Sequence, residues 1–526
     1  MQQQESLIES GPRLAIITIT AVFCALLEII DTTIVNVALN NMRGTLGATL
    51  NEISWVITAY SLANVIVIPL TSWLGEQFGR RNYFAASIII FTVCSYLCGN
   101  ATNIWELVIF RFIQGMGGGA LLVTSQTIIT ESWPPEKRAM AQAIYFLGVI
   151  VGPTLGPPLG GFIVDNYSWP FIFYINVPVG IIATILTIRY VRSPKYGSKR
   201  AANEVDWLGI LLLTVGISSL QYVLEKGQED DWFSSKLIIT LSVTAFLGLY
   251  LFVWRQLETK YPVVNLRVLR DGNLRMGVML SFIMGFGTFG STFVIPLFTQ
   301  SFLGWTAQQA GLLQLPSTIF VAFMMPVVAT LIQKGVQQKY LIAVGMFIFY
   351  IFCMMCYRII VPDTSAGDFF WPLIVRALGM GLLSVPVSTM SLSTLKAQEI
   401  GQGAAFTGML RQLGGSFGVA LISTFLSRWT SAHRLSMISH LSAYDLNVQQ
   451  RLAQFAQLMR SKGMDMVDSQ KAAFQMLENA ASRQATLLSY MDVFMWVGIV
   501  FLVFVPFVLL FVKPAKNKVN LADAAH

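Results

Sequence analysis

Residues 14–39 read LAIITITAVFCALLEIIDTTIVNVAL. The run is apolar and long enough to cross a bilayer as a helix, and it holds two acidic residues, Glu28 and Asp31, near its middle. A carboxylate at that depth is expensive in hydrocarbon, so it must face a cavity or a partner. Outward from this run, the chain repeats the apolar pattern. A second run, 148–161, reads GVIVGPTLGPPLGG, with small residues and helix-bending prolines. Titratable carboxylates together with a Gly/Pro-rich membrane helix point to a proton-coupled transporter.

Composition fits that reading. The 526 residues are 55% hydrophobic and 12% charged, against about 25% charged in ordinary soluble domains. Fourteen apolar spans are expected, at 14–37, 53–73, 83–99, 104–128, 140–164, 169–190, 206–223, 237–254, 276–299, 310–332, 340–357, 370–394, 403–425 and 492–512. The net charge of +8 does not indicate nucleic-acid binding, because the basic residues sit in short loops between spans. Arg80, Arg81, Lys137, Arg138, Arg189, Arg192, Lys195, Lys199 and Arg200 fall on one side, and Lys513, Lys516 and Lys518 follow the last span. The opposite short loops hold Arg43, Lys226, Lys236 and Arg358. By the positive-inside rule, both termini are expected in the cytoplasm. The first span is expected to be an uncleaved helix rather than a signal peptide.

The chain reads as six helices, two inserted helices and six more: an N-terminal bundle at 1–190, a linker with two extra spans at 191–275, and a C-terminal bundle at 276–526. A weak repeat supports the halves. Arg111-Phe112-Ile113-Gln114-Gly115-Met116-Gly117 opens the fourth span, and Arg376-Ala377-Leu378-Gly379-Met380-Gly381 lies in the twelfth. The segment 426–491 is the one long outer connection, and Leu452, Phe455, Met459, Phe474 and Leu477 in it recur at helical spacing. It is either a cap over the outer opening or a surface for a partner. No nucleotide-binding GxxxxGK[ST] run occurs, no metal loop is visible and no cofactor is expected beyond the proton itself. Cys94 and Cys98, like Cys353 and Cys356, lie inside spans and read as packing residues. His433, His440 and His526 lie outside the spans, which leaves proton handling to carboxylates.

Several residues are candidates for the transport cycle. Asp31 and Glu28 lie three apart, near one helical face, with Thr32, Thr33 and Asn36 beside them. Asp31 is the first choice for the proton and Glu28 the second. Arg111 needs a partner at its depth; it either neutralises a carboxylate or donates to backbone carbonyls of the first span. Arg376 is a candidate for a second-half polar network with Arg411, and Arg411 either joins it or reaches the inner surface. Gly148, Gly152, Gly156 and Gly160 recur every four residues and share a face, allowing close helix approach. Pro153 and Gly161 belong to the same motif. The stretch Ser72-Trp73-Leu74-Gly75-Glu76-Gln77-Phe78-Gly79-Arg80-Arg81 puts Glu76, Arg80 and Arg81 at the inner end of the second span, as gate residues or topology anchors.

These motifs resemble the major facilitator superfamily. More narrowly, they resemble its fourteen-span drug:proton antiporters, the EmrB/QacA group. The loop 72–81 is similar to the GxLaDrxGrr signature, departing at Ser72, Glu76 and Gln77. Arg111-Phe-Ile-Gln-Gly is similar to RxxqG, 148–161 to the antiporter signature gxxxGPxxGG, and 31–39 to the first-helix motif of the group. The resemblance implies the major facilitator fold and export of amphipathic drugs or other toxic compounds. It also implies a bacterial inner-membrane pump working with an EmrA-type periplasmic adaptor and a TolC-type outer-membrane channel. Dedicated export of an endogenous lipid, siderophore or metabolite is the alternative, and a non-transporting receptor or scaffold a remote one.

Overall fold

The structure is a computed structural model that describes residues 7–194, 204–442 and 444–512. Lys195, Lys199, Arg200, Lys513, Lys516 and Lys518 lie outside the described residues. Among the described residues, fourteen helices are long and apolar enough to cross a membrane, and they match the fourteen expected spans one for one. An even number of crossings puts both ends of the described chain on one side, here called the terminal face, with the loop face opposite.

The first half contains α1 (Gly11–Leu46), α2 (Leu50–Phe78), α3 (Arg80–Gly99), α4 (Ile104–Ser132), α5 (Arg138–Asn166), the single turn α6 (Phe171–Tyr174) and α7 (Asn176–Tyr190). The inserted pair is α8 (Trp207–Lys226) and α9 (Lys236–Glu258). The second half contains α10 (Gly272–Leu297), the short α11 (Ala307–Leu312), α12 (Leu315–Gln333), α13 (Gln338–Ile359), α14 (Ala366–Ser393), α15 (Ile400–Ser439), α16 (Leu446–Ser461) and α17 (Met466–Phe511). Helix packing repeats between the halves. In the first, α1 packs on α5, α2 on α4, and α3 on α4 and α7. In the second, α10 packs on α15, α12 on α14, and α13 on α14 and α17. These are two six-helix bundles of one design.

Glycine makes the same joint in both bundles. A Cβ on Gly148 would meet Val22 at 2.8 Å, one on Gly152 would meet Ile29, and one on Gly160 would meet Ile34 at 2.9 Å. A Cβ on Gly414 would strike the Phe282 backbone, and one on Gly418 would lie 2.9 Å from the Phe286 carbonyl. Without side chains at these points, α5 closes on α1 and α15 on α10, so packing replaces the hydrophobic drive that lipid does not supply.

The inserted pair covers the seam between the halves. Asp206 caps α8 through the Gly209 N–H (3.0 Å) and accepts from Arg255 (2.6 Å) and Gln256 (2.7 Å) of α9. Towards the loop face, Lys226 donates to Ser54 of α2 (2.7 Å), whereas Gln221 and Trp232 donate to Ser416 (2.9 Å) and Thr424 (3.0 Å) of α15.

The segment 426–491 departs from its reading as a long loop. α15 continues through Ser439 and α17 starts at Met466, so both membrane helices run far beyond the bilayer. At 1.5 Å per residue, the 466–491 portion of α17 alone adds about 39 Å. α16 is the one short helix, and it carries Leu452, Phe455 and Met459 as their spacing suggests, while Phe474 and Leu477 lie on α17. The projection is internally bonded, through Arg434–Glu478 (2.6 Å), His433–Asp492 (2.7 Å) and Thr430–Ser489 (3.1 Å). Apolar side chains alternating with small ones let the two long helices keep helical pairing outside the membrane, which residue composition alone does not reveal.

Candidate functional site

Four glycines of the fourth span build the site. A Cβ on Gly115 would press on the Tyr60 backbone, one on Gly119 on the Asn64 backbone at 2.6 Å, and one on Gly117 on the Ser87 carbonyl at 2.8 Å. A Cβ on Gly118 would strike the Tyr60 hydroxyl and lie 3.4 Å from Glu28. The glycines of α4 therefore bring α2 and α3 against it and place Tyr60, Asn64 and Glu28 together in the membrane interior.

Asp31 and Arg111 form a buried pair, with Arg111 Nη1 2.5 Å from Asp31 Oδ2. The other carboxylate oxygen, Oδ1, accepts from Gln114 (3.1 Å) and Asn176 (2.9 Å). Gln114 also accepts from Arg111 (2.7 Å) and donates to Ser95 (2.6 Å). Arg111 Nε donates to the Val56 carbonyl of α2 (3.3 Å), and its guanidinium carbon stands 4.1 Å from the Tyr60 ring centroid. The backbone carbonyl it uses thus belongs to the second helix, not the first. Asp31 is 0% exposed and Arg111 1%. Hydrogen bonds on both oxygens offset the cost of burying this pair.

Glu28 is differently placed. It is 4% exposed and accepts one hydrogen bond, from Asn64 (2.8 Å), while its Oε2 is buried with no partner, as is the nearby Tyr60 hydroxyl. Its carboxylate feels the charges of Asp31 and Arg111 and, from the other half, that of Arg411. Arg411 packs against the first half, its guanidinium carbon 5.3 Å from the Phe146 ring centroid on α5. The two acids that the sequence groups together therefore have separate settings, one saturated with donors and one half-satisfied beside the seam.

The remaining candidates divide. Gly156 packs hardest: a Cβ there would strike the Thr33 hydroxyl and lie 2.8 Å from Thr33 Cβ. Gly161 does not join the face, because a Cβ on it meets nothing within 4 Å. Pro153, Pro157 and Pro158 sit inside a continuous α5; Pro158 Cδ lies 3.1 Å from where a Cβ of Gly311 would stand. Arg80 is ion-paired with Glu131 of α4, both buried, and Glu76 lies one turn before it on α2. Arg81 is exposed, its backbone N–H donating to Ser193 (3.1 Å). Arg376 donates to Gln314 (3.1 Å) and does not contact Arg411 through any ion pair or shared hydrogen bond among the described residues.

Sequence reasoning missed the contacts between halves. Gln126 of α4 donates to Ser388 of α14 (2.7 Å), Ser388 donates to Gln142 of α5 (2.7 Å), and Gln142 donates to Thr130 (2.6 Å). All are buried towards the terminal face. Nearer the loop face, Thr154 of α5 and Thr318 of α12 share a 2.5 Å hydrogen bond. Gln126 and Gln142 were legible as polar residues inside apolar spans, but their partners come from across the seam. Asn64, Gln114, Ser95, Asn176 and Glu131 were missed because each meets its partner on another helix of the first half, far away in sequence.

Comparison with known proteins agrees with this architecture. The Major Facilitator Superfamily profile matches residues 21–419. The chain is 33% identical to the fatty acid resistance protein FarB of Neisseria gonorrhoeae, over 96% of this chain and 97% of FarB. It is 32% identical to the multidrug export protein EmrB of Escherichia coli over the full length of both. Among solved structures, the proton:xylose symporter XylE superposes with a TM-score of 0.59 at 14% identity, covering 93% of this chain and 94% of XylE. The human organic anion transporter MFSD10 superposes at 0.57 with 11% identity, covering 94% of this chain and all of MFSD10. Those two likenesses concern the fold. With fourteen spans, a matching profile and two full-length relatives above 30% identity, the chain belongs to the major facilitator superfamily and is related there to the multidrug exporter EmrB and to FarB.

Proposed function

We propose that this protein is a proton-coupled antiporter that exports amphipathic drugs or other toxic compounds across a bacterial inner membrane. The observation that carries the reading is Glu28: a buried carboxylate with one bare oxygen, within electrostatic reach of Arg411 across the seam and standing one turn from a saturated Asp31–Arg111 pair. An intramembrane acid is a functional candidate by default, and one with an unfilled oxygen has room for a proton. The sequence pattern ranks Asp31 first; the geometry favours Glu28 as the exchanging group and Asp31–Arg111 as the fixed charge that orients it. Protonation of Glu28 removes its attraction to Arg411, so proton loading and the fit of the two halves change together.

One proton suffices for useful work. A gradient of one pH unit is worth about 1.4 kcal/mol and 100 mV adds about 2.3 kcal/mol. Together these sustain a concentration ratio of several hundred for a neutral substrate. The Gln126–Ser388–Gln142 cluster acts as the gate on the terminal face, with Arg80 and Glu131 bracing it. We divide the chain into working units at 1–190, 191–275 and 276–526, with both termini cytoplasmic, as supported by the basic residues Arg80, Arg81, Lys137, Arg138, Arg189 and Arg192 on the terminal face.

The reading extends to a tripartite pump with an EmrA-type adaptor and a TolC-type channel, because the helical projection of α15, α16 and α17 offers a broad, ordered periplasmic surface. Replacing 427–490 by a short linker is expected to lower cellular resistance several-fold while vesicle transport falls little. Equal loss in both assays assigns the projection to the pump itself. FarB's name favours a second reading, dedicated export of a lipid or other metabolite. Proteoliposomes separate these cases: substrate-dependent proton flux across a diverse panel supports multidrug antiport, response to one lipid class supports the alternative, and flux without proton movement rejects coupling.

A further inference from the structure

Arg376 is the second-half counterpart of Arg111. It stands on α14, which occupies in its bundle the place of α4, packed against the helices equivalent to α2 and α3. The counterpart of α1 is α10, and α10 carries no Asp or Glu from Gly272 to Leu297. The second half has kept the arginine and lacks the acid. Arg111 spends its donors on Asp31, Gln114 and Val56. Arg376 donates from Nη2 to Gln314 Oε1 at 3.1 Å, and its Nη1 is buried with no partner.

The nearby acids are otherwise engaged or distant. Asp368, two turns nearer the loop face on α14, caps its own helix through Ser365 (2.8 Å). Among the described residues no carboxylate forms an ion pair with Arg376. Neighbouring α13 presents Cys356 to it rather than an acid. Gln314 is itself buried, at the corner between α11 and α12. One turn further along α12, Thr318 makes the Thr154 contact across the seam. The guanidinium therefore lies just behind the surface where the halves part. Deeper, α12 and α14 meet through Met324 and Gly381, where a Cβ would lie 3.2 Å from the Met324 side chain.

We propose that Arg376 and Gln314 bind the anionic head group of an amphiphilic substrate, a carboxylate on an aliphatic or aromatic body. The proposal rests on the transport reading above and narrows its substrate class. A guanidinium in a membrane interior is costly without a counter-charge, and its planar fork matches a carboxylate in two-pronged fashion. Here the protein supplies one acceptor and leaves the other prong open. A bound carboxylate fills it; a cationic head group is repelled from it. The apolar contact of Met324 with α14 gives the tail a soft wall.

The test compares two probes of equal chain length, dodecanoate and dodecylammonium. Binding to full-length protein in nanodiscs is followed by tryptophan fluorescence with no proton gradient, so loss of coupling does not affect the result. Arg376→Gln is expected to weaken dodecanoate binding tenfold or more and to change dodecylammonium binding less than twofold. Arg376→Lys keeps the charge but loses the fork, and is expected to fall between. Gln314→Leu, which leaves the arginine in place, is expected to weaken dodecanoate severalfold and guards against a folding defect in the arginine variants. Unchanged dodecanoate affinity in Arg376→Gln, equal loss for both probes, or no dodecanoate binding by the wild type would each overturn the assignment. A proton-coupled transporter that fails this test remains an antiporter with its head-group site elsewhere.

Discussion

Glu28→Gln is expected to abolish proton-driven export while leaving the protein folded and able to bind substrate. Glutamine keeps the side-chain shape and still accepts from Asn64, so the contact between α1 and α2 survives. What it removes is the titration. A two-unit difference in pKa between working states is worth about 2.7 kcal/mol, a factor of roughly a hundred in gradient-driven accumulation. Asp31→Asn has a different expected outcome. It leaves Arg111 buried at 1% exposure without its counter-ion, and breaking such a pair costs about 3–5 kcal/mol. Transport then falls because the first bundle is destabilised, and thermal unfolding in detergent detects it. Glu28→Gln with normal gradient-driven export would remove the carboxylate from the cycle.

Gly156→Leu is the second large effect. Even a single Cβ at this position would overlap the Thr33 hydroxyl and lie 2.8 Å from Thr33 Cβ and 3.2 Å from the Ile34 backbone nitrogen. Backbone does not yield as a side-chain tip does, so α5 must move away from α1. Overpacking of this kind costs about 1–3 kcal/mol or more, at a joint between the helix that carries Glu28 and the helix that contacts the other half through Thr154. Expected is membrane insertion close to normal with export reduced to background. Gly161→Leu is the internal control, since its Cβ meets open space, and it should export normally. Equal activity in both variants would show that close approach of α1 and α5 is dispensable.

The sequence was most legible where chemistry and periodicity coincide. Apolar length alone placed fourteen spans, because a bilayer admits few other backbone solutions. The four-residue glycine period of α5 announced a packing face, and the structure lays that face on α1. Arg111 and Asp31 were each recognisable as costly residues needing partners. Their pairing, over a separation of 80 positions, depends on how bundles close and not on local pattern. The same limit hid Asn64 behind Glu28 and Ser388 behind Gln142. Glycines 414 and 418 repeat the first-half joint, against α10. The projection was obscured for another reason: helices outside the bilayer need not be apolar, so the hydropathy that marks a span stops well before α15 ends and begins well after α17 starts.

The claim that Glu28 carries the exchanging proton is tested most directly by proton release from purified protein on substrate addition. A pH-sensitive dye in weakly buffered solution, followed across pH, reads the number of protons per substrate bound. The account predicts about one proton released by the wild type, none by Glu28→Gln, and release retained by whatever Asp31→Asn protein remains folded. Full release from Glu28→Gln together with none from folded Asp31→Asn would contradict it and return the proton to Asp31.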